Sequence, residues 1–369
     1  MKRFFLLIVI LLAARAPQTS ATQPSAIEVS IVTPQATVIK PPIAGAPVTL
    51  TVMTHNSFEI SENILAAFEQ ANNIKVSFLK SGDAGEALNK AILSKDSPLA
   101  DVFYGVDNTF LSRALDAGIF EPYDSPMLTG IDAEFKLDPQ NRALPVDYGD
   151  VCINYDRAFF EKNALPIPQS LGDLVGPDYK DMLVVENPAT SSTGLAFLLA
   201  TVAHFGEPGY LDYWKMLRAN GLVVVNDWEM AYYTNFSGSS GHGPQTMVVS
   251  YATSPAAEVI YSDAQLSQSP TASIVGVDTC FRQIEFVGIL AGTRNREAAE
   301  RFVDFMLSLS FQEDMPLQMF MMPVDPLAIL PDSFYQFNQQ PDQPATLSPE
   351  AIAANRERWI LEWTDAVLR

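Results

Sequence analysis

The sequence predicts an α/β fold built as two domains, and three observations support this. Strand-like and helix-like runs alternate along most of the chain, as in mostly parallel sheets covered by helices on both faces. The chain has 369 residues, more than one ordinary core accommodates. Its composition, 48% hydrophobic and 18% charged, is typical of packed globular proteins rather than disordered ones.

The first half of the pattern is regular. "VTLTVMTHNSF" alternates apolar and polar residues and predicts a strand, followed by the helix "SENILAAFEQAN", which Ser61 can cap. The alternation of Ile74, Val76 and Phe78 predicts a second strand. "GEALNKAILSK", "ADVFYG" and "NTFLSRALDAG" then predict a helix, a strand and a helix that Gly118 ends.

The same rhythm resumes after "DYGDVCINYD". "DMLVVENP", "TMVVSYATSP" and "CFRQIEFVGIL" predict strands. Helices are predicted over 195–205, 210–220, 228–236 and 296–309. The final helix begins with Ser348 as its cap and Pro349 at its first position. The composition of "SGSSGHGP" predicts a loop over 237–244.

The N-terminal segment predicts export. Lys2 and Arg3 precede an apolar run over 4–14, which is too short to span a bilayer and fits a signal peptide over 1–21. A linker rich in Pro, Ala and Thr is predicted over 22–47. The segment has no cysteine for a lipid anchor. We expect an exported protein folded from about residue 48; an uncleaved signal acting as an anchor is the alternative.

The charge limits the partners. Acidic residues outnumber basic ones 43 to 23, which gives a formal charge of −20. Such a protein repels nucleic acid phosphates and anionic membranes, so we expect neither as a partner. Cationic or neutral ligands are compatible with this charge, and the alternative is that it only maintains solubility.

The cysteines and histidines are candidates for a disulfide or a metal site. Cys152 and Cys280 in an exported protein suggest one disulfide, with two buried free thiols as the alternative. His55, His204 and His242 do not have a recognised zinc-site spacing, so no metal site is expected.

Ligands of open parallel sheets bind beyond the carboxyl ends of the strands, and in this sequence those positions are rich in hydroxyls, amides and aromatic rings. The candidate ligand-binding residues there are Asn56, Ser57, Asp107, Asn108, Ser191, Ser192, Trp228, Tyr251 and Ser254. Four consecutive hydroxyl residues over 190–193 precede a predicted helix, whose first N–H groups and dipole attract polar ligand groups. Gly194 would let the backbone approach the ligand. The alternative is that one hydroxyl only caps the helix.

Signs of catalysis are few, and no nucleophile elbow, P-loop, dinucleotide fingerprint or metalloprotease motif is present. Asp147 and Asp150 flank "YG" and suggest either acid–base chemistry or a strand crossing between domains. A hydrolase using Ser191 or Ser254 lacks a histidine at a recognised spacing.

Aromatic residues suggest binding of a flat cation. Trp228, Tyr251 and Phe320 are candidates for cation–π contacts, although each could instead belong to the core. The tandem Tyr232-Tyr233 weakly suggests iron ligation by phenolates.

Together, "ADVFYGVDNTFL", "PVDYGDVCINYD", "NPATSSTGLAFLL", "MVVSYATSPA", "AERFVDFMLSLSFQ" and "MPVDPLAILP" carry a resemblance that extends from about residue 48 to the end of the chain. The chain resembles the substrate-binding proteins of bacterial ABC importers, and among them the thiamine-binding group. The resemblance implies a two-lobe, periplasmic-binding-protein-like fold of type II, with a mostly parallel sheet in each lobe. Its implied lobes are 48–150 plus 285–312 and 151–284 plus 313–369, hinged by crossing strands.

The resemblance also implies the function. We expect a monomeric, non-enzymatic receptor in the periplasm or at the extracellular face. It would capture thiamine, thiamine phosphate or thiamine diphosphate between its lobes, use no cofactor, and deliver the ligand to an ABC permease. A polyamine, an iron complex or another heterocyclic cation is the alternative ligand.

The matching motifs imply roles for individual residues of the site. Ser191 and Ser192 would face the hydroxyethyl or phosphate end of the ligand, while Trp228 and Tyr251 would enclose its rings. Phe320 stands where relatives have Trp, and Asn56 where relatives have Asp. The expected ligand set also includes Asp147 and Tyr148. A disulfide between Cys152 and Cys280 would brace the second lobe near the hinge.

Overall fold

The computed structural model describes residues 41–262 and 266–369. The predicted signal peptide over 1–21 and the linker as far as residue 40 lie outside the described residues. Residues 41–47, predicted as linker, are attached to the fold. The backbone N–H of Ile43 donates to the carbonyl of Asn72 at 3.0 Å, and Arg301 donates to the carbonyl of Pro41 at 2.8 Å. The predicted boundary at residue 47 is therefore wrong, because these contacts hold the segment in place.

The described strands form one continuous sheet. They are β1 (Val48–Thr54), β2 (Ile74–Lys80), β3 (Val102–Asp107), β4 (Phe120–Glu121), β5 (Leu144–Asp156), β6 (Leu183–Glu186), β7 (Val223–Val225), β8 (Met247–Tyr251), β9 (Thr271–Ile274), β10 (Phe281–Leu290) and β11 (Met322–Pro323). The main order is β2-β1-β3-β10-β5-β8-β6-β7. Strands β2, β1 and β3 pair in parallel at one end and β8, β6 and β7 at the other. The predicted α/β class is confirmed.

Helices cover the sheet. They are α1 (Glu62–Asn72), α2 (Ala84–Leu93), α3 (Leu111–Ala117), α4 (Arg157–Lys162), α5 (Ser192–Phe205), α6 (Gly209–Ala219), α7 (Ser254–Ile260), α8 (Arg296–Met306), α9 (Leu309–Gln312), α10 (Met315–Gln318), α11 (Asp332–Phe337) and α12 (Pro349–Val367). The helix predicted over 228–236 is instead a single π-helical turn, Met230–Asn235. Within the part of the chain that the structure describes, no helix has the length and apolar character needed to cross a membrane.

Two of the predicted helix ends are confirmed, and a third is not. The Ser348 hydroxyl accepts from the backbone N–H of Ala351 at 3.2 Å, and Gly118 ends α3 in the left-handed conformation at φ 67°, both as predicted. Ser61 precedes α1, but its hydroxyl donates to Asp314 at 2.5 Å rather than capping the helix. The bond to Asp314 orients the hydroxyl, which makes no hydrogen bond to the first N–H groups of α1, so the predicted side-chain cap is wrong.

Strands β5 and β10 run through both halves of the sheet. Strand β5 pairs with β10 over 144–151 and with β8 and β9 over 151–156. Strand β10 also pairs with β3 over 285–289, and both of its pairings shift register near Phe286. Such irregularities bend a strand locally. These are the crossing strands of a two-lobe fold, while the exact lobe boundaries remain a prediction.

The predicted disulfide is present beside this crossing. Cys152 on β5 and Cys280 just before β10 are joined by an S–S bond, and both residues are fully buried. The alternative of two free thiols is contradicted. The bond ties the two crossing strands together on the side of β8 and β9.

Candidate ligand-binding cleft

A cavity of about 650 Å³ opens beyond the carboxyl ends of β1, β6 and β8, in the size range of small-molecule sites. Its aromatic residues are Trp228, Tyr232, Tyr233, Tyr251, Tyr261 and Phe320. Its acidic residues are Glu59, Asp83, Glu229, Glu258 and Glu285. Its hydroxyl residues include Ser57, Ser192, Thr193, Ser240 and Ser254. Among the described residues that line it, none is a lysine or an arginine.

The π-helical turn builds the aromatic wall. The rings of Trp228 and Tyr232 stack with centroids 5.1 Å apart and an interplanar angle of 15°. Trp228 Nε1 donates to the Ser250 hydroxyl at 2.9 Å, which fixes the orientation of the indole. π-helical turns often occur at functional sites, and this one carries Tyr232 and Tyr233 of the lining.

Tyr251 ends β8 and is positioned by β5 and β10. Its hydroxyl accepts from Gln283 Nε2 at 3.1 Å. Its ring lies close to Gly149 of the "DYG" motif: a methyl group there would be 2.9 Å from Tyr251 Cδ1 and 3.0 Å from the Met321 sulfur. Because both neighbours line the cavity, the absence of a side chain at Gly149 sets the position of this wall.

Phe320 and Tyr261 form another part of the lining. Their rings meet edge to face at 5.3 Å and 87°. Phe320 has φ 57°, in the left-handed region that bulky residues rarely adopt. This backbone conformation occurs in the segment that leads into β11, the short strand paired with β5.

The acidic residues of the cavity are arranged by hydrogen bonds. Glu258 accepts from the Tyr232 hydroxyl at 2.8 Å, and burial raises its pKa. Glu229 accepts from Ser57 at 3.2 Å, and Glu59 is paired with Lys80 at 2.5 Å. The cavity is therefore a region of negative potential in which one carboxylate already has a basic partner.

His55 is a neutral polar group in this acidic surrounding. Burial lowers its pKa, although the charges of Asp83 and Glu229 oppose the shift. Its Nε2 is buried without a hydrogen-bond partner and lies 4.0 Å from a carboxylate oxygen of Glu285. The imidazole is thus able to offer a ring nitrogen to a bound molecule.

The hydroxyl groups of the turn before α5 (residues 190–193) mainly make contacts within the protein. Thr190 donates to the carbonyl of Asn226 at 2.6 Å, and the hydroxyls of Ser191 and Thr193 lie 3.0 Å apart. A methyl group at Gly194 would be 2.4 Å from the carbonyl oxygen of Glu186. The expectation that Gly194 admits the ligand is therefore wrong, because its close neighbour is strand β6.

The structure brings part of the predicted ligand set to the cavity. The residues that line it are Ser57, Ser192, Trp228, Tyr251, Ser254 and Phe320. The residues absent from the lining are Asn56, Asp107, Asn108, Asp147, Tyr148 and Ser191. For these a role in ligand binding stays a prediction, and each side chain has contacts within the protein.

Asp107 and Asn108 hold the end of β3. Asp107 accepts from the backbone N–H groups of Thr109 and Phe110 at 2.8 and 3.1 Å, and burial raises its pKa to about 7. The Asn108 amide bonds the backbone of β10, accepting from Ile284 N at 3.0 Å. The Asp107 side chain is used in the turn that follows β3, and the Asn108 side chain joins this turn to β10.

Asp147 and Tyr148 belong to the crossing strands. Asp147 is fully buried and accepts from the Tyr104 hydroxyl at 2.6 Å. Tyr148 stacks on Phe135 at 4.9 Å, with the Arg282 guanidinium 5.1 Å from its centroid.

Asp150 and the two remaining residues are also engaged elsewhere. Asp150 is bound in bidentate fashion by Arg282, with both distances 3.0 Å, so it does not form a catalytic carboxylate pair with Asp147. Exposed Asn56 accepts from Gly82 N at 2.9 Å. Ser191 is fully buried, and its hydroxyl lies 3.0 Å from that of Thr193.

The lining residues outside the predicted ligand set include His55, Asp83 and Glu258. Glu258 lies four residues after Ser254 on α7, and this helical spacing placed it on the selected face. Asp83 directly follows "SG" after β2, at the end of a parallel strand, where the rule for strand ends applied as well.

Metal and nucleophile alternatives find little support in the geometry. The described residues contain no group of three or more His, Cys, Asp or Glu able to hold a metal ion. The Tyr232 hydroxyl is bonded to Glu258, and the Ser254 hydroxyl lies 2.9 Å from that of Ser250 rather than against a histidine.

The two sheet halves, the crossing strands and the cavity at the strand ends define a two-lobe binding protein of the type II periplasmic class. A family model of bacterial extracellular solute-binding proteins matches residues 97–347. The chain belongs to this family. The thiamine-binding periplasmic protein of Salmonella typhimurium LT2 is 30% identical over 342 residues, covering 89% of this chain and 96% of the relative.

Two further comparisons agree. The thiamine-binding periplasmic protein of Escherichia coli K12 is 29% identical over 343 residues, with the same coverage of 89% and 96%. A solved structure described as a periplasmic thiamin binding protein is 28% identical, with a TM-score of 0.74, and covers 90% of this chain and 100% of that one. Relatives and solved structure thus share nearly the whole described fold.

Proposed function

We propose that this chain is an exported receptor that captures thiamine in the cavity and delivers it to an ABC permease. One observation carries the proposal: aromatic rings and carboxylates line the cavity together, without a lysine or arginine among the described lining residues. This combination suits a flat organic cation. The names of the relatives, thiamine-binding periplasmic proteins, support the choice of thiamine within that class.

The residues suggest how each part of thiamine is held. The positively charged thiazolium ring would lie against aromatic faces provided by Trp228 and Tyr251, each worth roughly 0.5 to 2 kcal/mol. The carboxylates of Glu258 and Glu229 add long-range attraction. The unpartnered Nε2 of His55 would accept a hydrogen bond from the aminopyrimidine amine, in place of Asn56.

We further propose that binding involves no chemistry on the ligand. Membership of a family described as bacterial extracellular solute-binding proteins supports this, since the description is of binding rather than of a reaction. Of the two serines in the hydrolase alternative, Ser254 has its hydroxyl 2.9 Å from that of Ser250, and Ser191 has its hydroxyl 3.0 Å from that of Thr193. The protein would act as a monomer in the periplasm or at the extracellular face of the cell envelope, with an ABC permease as its partner.

A polyamine is the second candidate, because the carboxylates would bind any multiply charged amine. The aromatic wall favours thiamine, since aliphatic chains gain little from stacked rings. An iron complex is disfavoured because the Tyr232 hydroxyl is already bonded to Glu258.

A thermal-shift panel separates these ligands, because a ligand that binds only the folded state raises the melting temperature. Thiamine, spermidine and ferric citrate are compared at equal concentration. We expect thiamine to give the largest shift, with about 2.7 kcal/mol of stabilisation at roughly 100 times its Kd. A shift with spermidine or ferric citrate alone would overturn the ligand assignment.

A further inference from the structure

Two polar side chains that line the cavity approach each other without forming a hydrogen bond. His55 directly follows β1, and Glu285 lies on the crossing strand β10. The distance from His55 Nε2 to Glu285 Oε1 is 4.0 Å. These two atoms are too far apart to bond each other directly. A single nitrogen about 2.9 Å from each of them could bond both.

The His55 ring is held in place by a glycine. Gly105 has φ 108°, and a methyl group there would be 2.6 Å from His55 Cδ2, the ring carbon next to Nε2. The ring also lies beside Tyr104, with centroids 5.7 Å apart. Among the described residues, the buried Nε2 has no hydrogen-bond partner. Burial lowers the pKa of His55, so the ring is neutral and, with its proton on Nδ1, presents Nε2 as an acceptor.

Glu285 has acceptor capacity to spare at the same point. Its Oε2 accepts from the Tyr104 hydroxyl at 2.8 Å, and its Oε1 accepts from Gln283 Nε2 at 3.3 Å. A carboxylate accepts about four hydrogen bonds, so these two donors leave Oε1 able to accept another. Burial raises the pKa of Glu285 and raises that of Asp147, its neighbour on β5, further still. Asp147 therefore holds the proton of the pair, and Glu285 is the ionised acceptor.

A nitrogen acceptor and a carboxylate oxygen at this spacing match a ligand group that carries two hydrogens. A primary amine on a flat ring can donate one N–H to each atom. A carbonyl oxygen in the same place would bring its lone pairs against both acceptors. Because His55 and Glu285 are only 8% and 3% exposed, solvent cannot readily supply the missing donors.

From these contacts we propose that His55 and Glu285 form an amine-binding subsite that determines specificity. It takes the amino group of an aminopyrimidine ring and rejects the corresponding ring with an oxo group. The inference rests on the proposed function, and it adds Glu285 to that function as a second contact for the amine.

Isothermal titration calorimetry with thiamine and two analogues tests the inference. Oxythiamine has a carbonyl oxygen in place of the amino group, whereas pyrithiamine keeps the aminopyrimidine and the positive charge but has a pyridinium ring in place of the thiazolium. We expect oxythiamine to bind at least about tenfold more weakly than thiamine, because sites built to bond a polar group reject analogues that lack it. Pyrithiamine should lose much less.

The outcomes separate this inference from the proposed function. If thiamine binds and oxythiamine binds less than about tenfold more weakly, the amine-binding subsite is overturned and the proposed function stands. A loss for pyrithiamine as large as that for oxythiamine would also overturn the subsite, since pyrithiamine retains the amine. Absence of thiamine binding would overturn the proposed function itself.

Two variants locate the effect at the subsite. Glu285→Gln can turn an amide N–H towards an oxo group, and His55→Phe keeps a ring against Gly105 but removes the acceptor nitrogen. We expect each to narrow the preference for thiamine over oxythiamine about threefold or more. A general loss of packing weakens both ligands alike and leaves this ratio unchanged.

Glu161→Gln is the matched control, since Glu161 is exposed on α4 outside the cavity lining, and it should keep the wild-type ratio. A wild-type ratio in both Glu285→Gln and His55→Phe would overturn the subsite. The comparison of the three ligands on the wild-type protein decides the question even if neither variant folds.

Discussion

Asp147 and Glu285 face each other on the two crossing strands, and the Tyr104 hydroxyl lies between their carboxyl groups. The distances are 2.6 Å to Asp147 Oδ2 and 2.8 Å to Glu285 Oε2. A phenol has one proton to donate, so two buried carboxylates cannot both be satisfied by it. Burial and the charge of Glu285 raise the pKa of Asp147 well above its usual value. The pair therefore retains a proton when the protein is folded.

Replacing Asp147 by asparagine should make stability less dependent on pH. The folded protein keeps a proton that the unfolded chain releases near pH 4, so the wild-type free energy of unfolding falls as pH rises above about 4. We expect Asp147→Asn to change stability little at about pH 5 and to raise it by about 1 to 3 kcal/mol at about pH 8. Urea unfolding at both pH values measures this.

Asp178→Asn is the control, because Asp178 is exposed and outside the crossing strands. Its pH dependence should match that of the wild type. If Asp147→Asn retained the full wild-type dependence as well, the shared proton between Asp147 and Glu285 would be contradicted.

The disulfide should contribute strongly to stability. Cys152 and Cys280 are 128 residues apart in sequence, and closing a loop of that size restricts the unfolded chain considerably. Reduction, or the double substitution Cys152→Ser and Cys280→Ser, should lower the free energy of unfolding by about 4 to 5 kcal/mol. Denaturant unfolding with and without reductant gives this difference. Two free thiols in the denatured, unreduced protein would contradict the bond.

Trp228 should report ligand binding. It lines the cavity, whereas Trp214, Trp359 and Trp363 are buried elsewhere. We expect thiamine to change the intrinsic fluorescence of the wild type. Trp228→Phe should abolish most of that change and weaken affinity about three- to thirtyfold, the loss of roughly 0.5 to 2 kcal/mol of ring contact. A fluorescence response that survives in Trp228→Phe would place the ligand elsewhere.

Gly149→Ala should impair binding through the cavity wall. The new methyl group would lie 2.9 Å from Tyr251 Cδ1, closer than ordinary contacts allow, so the tyrosine must move. We expect affinity for thiamine to fall about tenfold or more, measured by calorimetry. Gly130→Ala, where a methyl group meets open space, should bind as the wild type does. Equal affinity in both variants would show that the position of Tyr251 is not critical.

Thiamine affinity should rise with pH. Burial raises the pKa of Glu258 and of Glu285, so at low pH these carboxyl groups hold protons and lose their attraction for a cation. A bound cation favours the charged carboxylates, so binding should release protons. Calorimetry in buffers of different ionisation enthalpy detects this release as a buffer-dependent heat. Proton uptake on binding would contradict the acidic character of the site.

The sequence predicted most of the fold because its elements are locally encoded. Alternating residues gave β2, a serine followed by proline gave the start of α12, and Gly118 gave the end of α3. The π-helical turn at Met230–Asn235 was missed, since its apolar spacing is also that of an ordinary helix.

The site was only partly predictable, because the residues at strand ends do not show which strands pair or in which register they pair. Asp107, Glu285 and Asp147 are cross-strand neighbours on β3, β10 and β5, and only this pairing places Asp107 and Asp147 beside Glu285, the one of the three that lines the cavity. By contrast, Trp228 and Tyr251 reached the cavity as predicted, since both lie where parallel strands end.

Equilibrium dialysis with labelled thiamine tests the central claim most directly, because it measures occupancy without relying on any reporter residue. We predict saturable binding of one thiamine per chain, with a Kd of about 1 μM or tighter, and its loss when Trp228→Phe is combined with Glu258→Gln. No retained thiamine at ligand concentrations up to about 1 mM, where even weak complexes form, would contradict the account.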